Sequence, residues 1–113
     1  MKTANIAPAY AGLYAGLCEV ARENGYALAI HGSLANDMDL VAVPWTDEAV
    51  APEVLAEAMW KRVKWLNHQT EFPYQPQAMP HGRLAWFFPL LQAPPNEGRS
   101  GIDLSVTPRK EVK

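Results

Sequence analysis

The chain has one cysteine, Cys18, among its 113 residues. Alone it can close no internal disulfide and build no thiolate metal cluster, which points to a reducing compartment, the cytoplasm. Long apolar runs are also missing. The stretch behind Lys2 is broken by Pro8, Gly12 and Gly16, and no run approaches the ~20 residues that a membrane span needs. Neither a secretory leader nor a membrane segment is expected. A basic excess is lacking as well: ten Lys and Arg stand against twelve Asp and Glu, for a net charge of −2. General nucleic-acid binding requires many cations to release counterions, so that class is excluded, although a local phosphate site is not. There is no internal repeat and no low-complexity tract. What the sequence does have is apolar side chains, 49% of the total. A chain of this length can bury about two-thirds of its unfolded surface, enough for one domain over residues 1–113.

Tyr10, Leu13, Tyr14, Leu17, Val20 and Ala21 recur at helical spacing between Pro8 and Glu23. Pro8 suits the first turn of that helix and Gly25 its C-terminal cap. Gly12 and Gly16 fall on its outer face, either as neutral drift or to admit a close neighbour. Tyr26 to Ile30 and Asp37 to Val43 read as two strands separated by His31-Gly32-Ser33. Pro52 opens a second helix running to about Leu66, with a buried stripe of Leu55, Met59, Val63 and Leu66 and with Ala58 alongside. Glu53 and Glu57 lie early and Lys61, Arg62 and Lys64 late, in keeping with the helix dipole. At ~100° per residue Trp60 projects among the charges and Arg62 onto the apolar stripe, so both break the pattern. An exposed Trp60, serving a homo-oligomer or a protein partner, is the expectation. Asn67 to Gly82 reads as a long loop bordering the site. Arg83 to Phe88 and Gly101 to Thr107 read as two more strands, and residues 108–113 as a solvated tail. The expected fold is therefore α/β or α+β, a mixed and largely antiparallel four-stranded sheet with two helices on one face.

The chemistry gathers on two of these strands. Asp37 and Asp39 are two apart, so their carboxylates point to one face with Cα atoms ~6.6 Å apart. In the last strand Ile102, Leu104 and Val106 alternate with Asp103, Ser105 and Thr107, which turns Asp103 away from the core. If the two strands are neighbours, three carboxylates share a face. Oxygen donors of this kind suit Mg²⁺, which commonly completes its shell with substrate phosphates. Gly32-Ser33, directly after a strand, lets backbone approach a phosphate and adds a hydroxyl to hold it.

The run His31-Gly-Ser-Leu-Ala-Asn-Asp-Met-Asp-Leu-Val, with Asp103 in Gly-Ile-Asp-Leu-Ser-Val, resembles the signature of the DNA polymerase β-like nucleotidyltransferase superfamily. About half the chain takes part in the resemblance. Only three residues separate Ser33 from Asp37, a shorter link than most family members have. Residues 31–45, 80–88 and 102–109 also look like segments of small phage and prophage proteins. The resemblance implies that Gly32 and Ser33 contact a nucleoside triphosphate. It implies that Asp37, Asp39 and Asp103 bind Mg²⁺ or Mn²⁺, with Asp103 also helping to deprotonate an acceptor hydroxyl. Alternatives of the same fold are a non-catalytic phage protein that occupies a host protein, and one half of a toxin–antitoxin pair.

Other candidates carry less chemistry. His31, His68 and His81 have no paired metal-ligand spacing, and His31 stands out only by bordering Gly32-Ser33. Ser33 lacks the Gly-x-Ser-x-Gly elbow of a hydrolase. Cys18 has no basic partner nearby in sequence and reads as a small packing residue. Trp86 and Phe88 read as core, while Phe87 on the opposite side reads as packing or as a stacking platform for a base.

Overall fold

Period-two alternation and helical spacing produce the elements in the order the sequence leads one to expect. A computed structural model describes residues 7–32, 37–64, 72, 75–89 and 101–109. Helix α1 (Ala7–Glu23) leads into β1 (Tyr26–His31) and β2 (Asp37–Pro44); α2 (Pro52–Val63) follows, then β3 (Gln77–Ala78), β4 (Leu84–Pro89) and β5 (Gly101–Val106). Among the described residues the result is an α+β fold with two helices and a mixed sheet of five strands in the order β1-β2-β5-β4-β3. β5 inserts between β2 and β4, parallel to β2 and antiparallel to β4, and the remaining pairs are antiparallel. Neither helix is long and apolar enough to cross a membrane.

α1 ends where Gly25 takes φ +86°, a conformation open to glycine and strained for other residues. A Cβ there would also lie 2.6 Å from the Ala49 Cα. The Gly25 carbonyl accepts hydrogen bonds from the backbone N–H groups of Trp45 (2.8 Å) and Thr46 (3.2 Å), which ties the end of α1 to the end of β2. Both helices pack on one face of the sheet. Tyr10, Leu17 and Ala21 of α1 and Leu55, Met59 and Val63 of α2 join Met38, Leu40, Leu104 and Val106 in one buried cluster. Two tyrosine hydroxyls pin α1 to the sheet: Tyr14 donates to the Leu28 carbonyl at 2.8 Å, and buried Tyr10 donates to the Gly101 carbonyl at 3.1 Å.

Two expectations are corrected. The sheet has five strands and not four, because β3 lies inside the segment read as a loop. Gln77 and Ala78 are both exposed, so no apolar alternation announces them. Backbone pairing with Ala85 and Leu84 makes the strand, and the turn that returns it holds His81 at φ 66° and Gly82 at φ 77°. The second correction is Trp60, which is 5% exposed and belongs to the core. The buried stripe of α2 is Leu55, Ala56, Met59, Trp60 and Val63, wider on the Trp60 side than the projection allowed. Phe72, from the chain beyond the helix, covers that side. Its ring centroid lies 6.0 Å from that of Trp60, 6.5 Å from Trp86 and 6.3 Å from Phe88. Lys64 closes the rim, its ammonium 5.5 Å from the Trp60 ring centroid. Leu66 lies outside the described residues.

Arg62, the other residue that broke the pattern, is exposed. Its guanidinium lies over α1, where a Cβ on Gly16 would come within 2.7 Å of Nη2. Gly16 therefore admits a close neighbour, whereas an added Cβ on Gly12 would meet nothing within 4 Å among the described residues.

Candidate functional site on the outer face of the sheet

The alternation that buries Met38, Leu40 and Ala42 sends Asp37, Asp39 and Val41 to the face away from the helices. In β5 it does the same for Asp103 and Ser105. Parallel pairing then sets Asp39 directly beside Asp103, and Asp37 beside Gly101. On the other side of β2 the antiparallel partner of Asp39 is His31, and the β4 partner of Asp103 is Phe87. A single row thus crosses four strands: His31, Asp39, Asp103, Phe87. Residues opposite one another on neighbouring strands have Cβ atoms about 5 Å apart, so this row brings together residues as distant in the chain as Asp39 and Asp103.

Gly32 completes the row at its edge. It adopts φ +83°, and a Cβ on it would stand 2.6 Å from the Asp39 Oδ2. The carboxylate of Asp39 therefore leans over bare backbone, the kind of close approach that only glycine permits. Ser33 lies outside the described residues, as do Leu34, Ala35 and Asn36. At the other end of the face, Arg83 donates from Nη1 to the Ser105 Oγ and from Nε to the Pro80 carbonyl, both at 3.3 Å. The Oδ1 of Asp37 is sealed from solvent.

The three carboxylates predicted from the sequence thus lie on one face, two of them side by side. They stand in register along strands and are not drawn around a point: no three His, Cys, Asp or Glu side chains form a metal-holding group among the described residues. His31, singled out only for its place next to Gly32, is brought into line with Asp39 and Asp103. Of the long segment expected to border the site, residues 67–71 and 73–74 lie outside the described residues, and its described end forms β3 and the turn at Pro80–Gly82. Cys18 is half-buried, and its hydrogen bond to Tyr14 is the main reason the tyrosine hydroxyl is pushed up to about 12.

No family model, no curated protein and no solved structure matches the chain.

Proposed function

We propose that the chain is a minimal nucleotidyltransferase-like enzyme of the DNA polymerase β-like type, moving a nucleoside monophosphate from a triphosphate to an acceptor hydroxyl. One observation carries this reading: Asp39 and Asp103 pair directly across β2 and β5, with Asp37 on the same face and Gly32 against the Asp39 carboxylate. The donor chemistry suits a divalent cation, since all three donors are hard oxygens, although binding would have to gather them from their places along β2 and β5. Asp37, Asp39 and Asp103 would hold Mg²⁺ or Mn²⁺, which when bound offsets triphosphate charge and favours the in-line displacement. A phosphate would reach the bare backbone of Gly32 once a bound cation draws the Asp39 carboxylate away from it. Asp103 accepts the proton of the acceptor hydroxyl as its oxygen bonds to the α-phosphorus and the bond to pyrophosphate breaks.

A second reading rests on the same face. Carboxylates in register but ungathered are also what a non-catalytic module would carry, one that binds a protein partner. Calorimetry with ATP, GTP, CTP and UTP in Mg²⁺ and in Mn²⁺ separates the two. Metal-dependent heat from at least one nucleotide, lost in Asp39→Asn, supports the enzyme. Silence with all four in both metals leaves the module.

A further inference from the structure

Three large apolar side chains are exposed among the described residues, and all three flank the connection between β2 and α2: Val43 at 43%, Trp45 at 77% and Val54 at 50%. Trp45 is the most exposed of the three, and tryptophan is among the residue types most enriched at the centre of an interface. Beside Trp45 opens a cleft of about 900 Å³, whose walls include Pro44, Pro52, Asp47, Glu53 and Arg109. It lies beyond the carboxyl ends of the parallel strands β2 and β5, and about 17 Å of strand separate Asp39 from Pro44. The cleft is thus separate from the acidic row.

Charge selects its occupant. Asp47 and Glu53 line the cleft, and exposed Glu48 stands next to them. Arg109 is the one basic residue among the described lining, and its Nη1 is engaged with the Ala49 carbonyl at 3.3 Å. The local balance is negative. A phosphodiester chain is repelled by such a wall. A second copy seated across a two-fold axis would bring the same net-negative lining to both sides of the contact. A cation is favoured twice, by the carboxylates and by the face of an exposed indole.

We propose that this cleft docks an extended basic segment of a partner protein, with a Lys or Arg side chain entering between Trp45 and the carboxylates of Asp47 and Glu53. The proposal goes beyond the nucleotidyltransferase reading and does not depend on it.

The test is an NMR titration of the full chain, following the indole N–H signals of its four tryptophans, with that of Trp45 assigned through Trp45→Phe. The probes are the peptide acetyl-Gly-Arg-Val-Arg-Gly-amide, its Glu-for-Arg counterpart and a dT oligonucleotide. The basic peptide should shift the Trp45 signal and leave buried Trp60 in place. The double variant Asp47→Asn/Glu53→Gln, both sites exposed, should keep its fold by circular dichroism and bind about tenfold more weakly. The proposal is overturned if the basic peptide leaves Trp45 unmoved at millimolar concentration, or if either other probe shifts it equally. Binding that survives in the double variant overturns it too. So does a dimer, seen by sedimentation, that Trp45→Ala dissociates, because a second copy would then be the occupant.

Discussion

Met38, Leu40 and Ala42 of β2 lie beside Ile102, Leu104 and Val106 of β5 on the helix side of the sheet, and all six are 1% exposed or less. On the other side, at the positions between them, stand Asp37, Asp39, Asp103 and Ser105, each half-buried. The same two strands, in the same register, thus serve packing on one face and polar chemistry on the other. The helix face is filled by shape, so a lost side chain there leaves a cavity. On the outer face what counts is which charges the register sets side by side, and substitution there should change binding more than folding.

Trp60→Ala should show the largest effect. Its ring is buried against Phe72, and truncating a buried tryptophan costs about 3–5 kcal/mol. Urea unfolding should show that loss, with the molecular mass in solution unchanged. A variant as stable as the wild type that lost self-association would instead restore Trp60 to the surface and move the boundary of the core.

The reasons why some of this could be foreseen lie in periodicity. α1, β2 and β5 carry clean apolar spacing while β1 and β4 are short apolar runs, and the side of the sheet that Asp37, Asp39 and Asp103 occupy follows from alternation within β2 and β5 alone. That β5 lies next to β2 does not follow from alternation, and only the family resemblance suggested it. β3 is two residues long, both exposed, so no pattern existed to be read. Trp60 was misplaced because a helical projection knows nothing of Phe72, twelve residues further on. The Trp45 cleft is invisible in the sequence for a related reason: it is assembled from the end of β2, the start of α2, Gly82 and Leu84 at the start of β4, and residues 108–109, four segments whose meeting is decided by topology.

Gly32→Ala should have the next largest effect. An L-residue held at φ +83° costs about 1–2 kcal/mol, and its Cβ would displace the Asp39 carboxylate. Thermal melting should register the strain. Full retention of stability would mean that the edge of the acidic row rearranges freely, and that Gly32 holds nothing in place.

Alkaline pH probes the seam between α1 and β1. The Tyr14 hydroxyl is pushed up to about 12 by its hydrogen bond to Cys18 first, by burial next and by the Cys18 charge last. Its value rises on folding, so its contribution is fully present below pH ~10, the value of a free tyrosine. The contribution is lost as pH climbs through about 12, when the hydroxyl that donates to Leu28 ionises. Tyr14 is half-buried, so water screens the charge and the effect is smaller than the strain at Gly32. Tyr14→Phe should therefore lose less melting temperature than the wild type between pH 10 and 12. Identical slopes would remove Tyr14 as the titrating group.

The smallest effects separate the two glycines of α1. Glycine inside a helix costs about 1 kcal/mol relative to alanine, so each substitution starts with a gain of that order. Gly12 has open space around an added Cβ among the described residues, and Gly12→Ala should realise most of the gain. Gly16 has the Arg62 guanidinium in the way, with Nη2 at 2.7 Å, Nε at 3.0 Å and Cζ at 3.2 Å from the added atom. These atoms end a flexible side chain on an exposed residue, so Arg62 can swing aside at the cost of the contacts it makes there. Gly16→Ala should consequently stabilise by less than Gly12→Ala, and the gap should close in an Arg62→Ala background. Chemical denaturation of the two single variants and the two doubles measures that cycle. A gap that persists without Arg62 would show that helix backbones, and not the guanidinium, set the distance between α1 and α2. A Gly12→Ala variant less stable than the wild type would show that this outer face of α1 is covered after all.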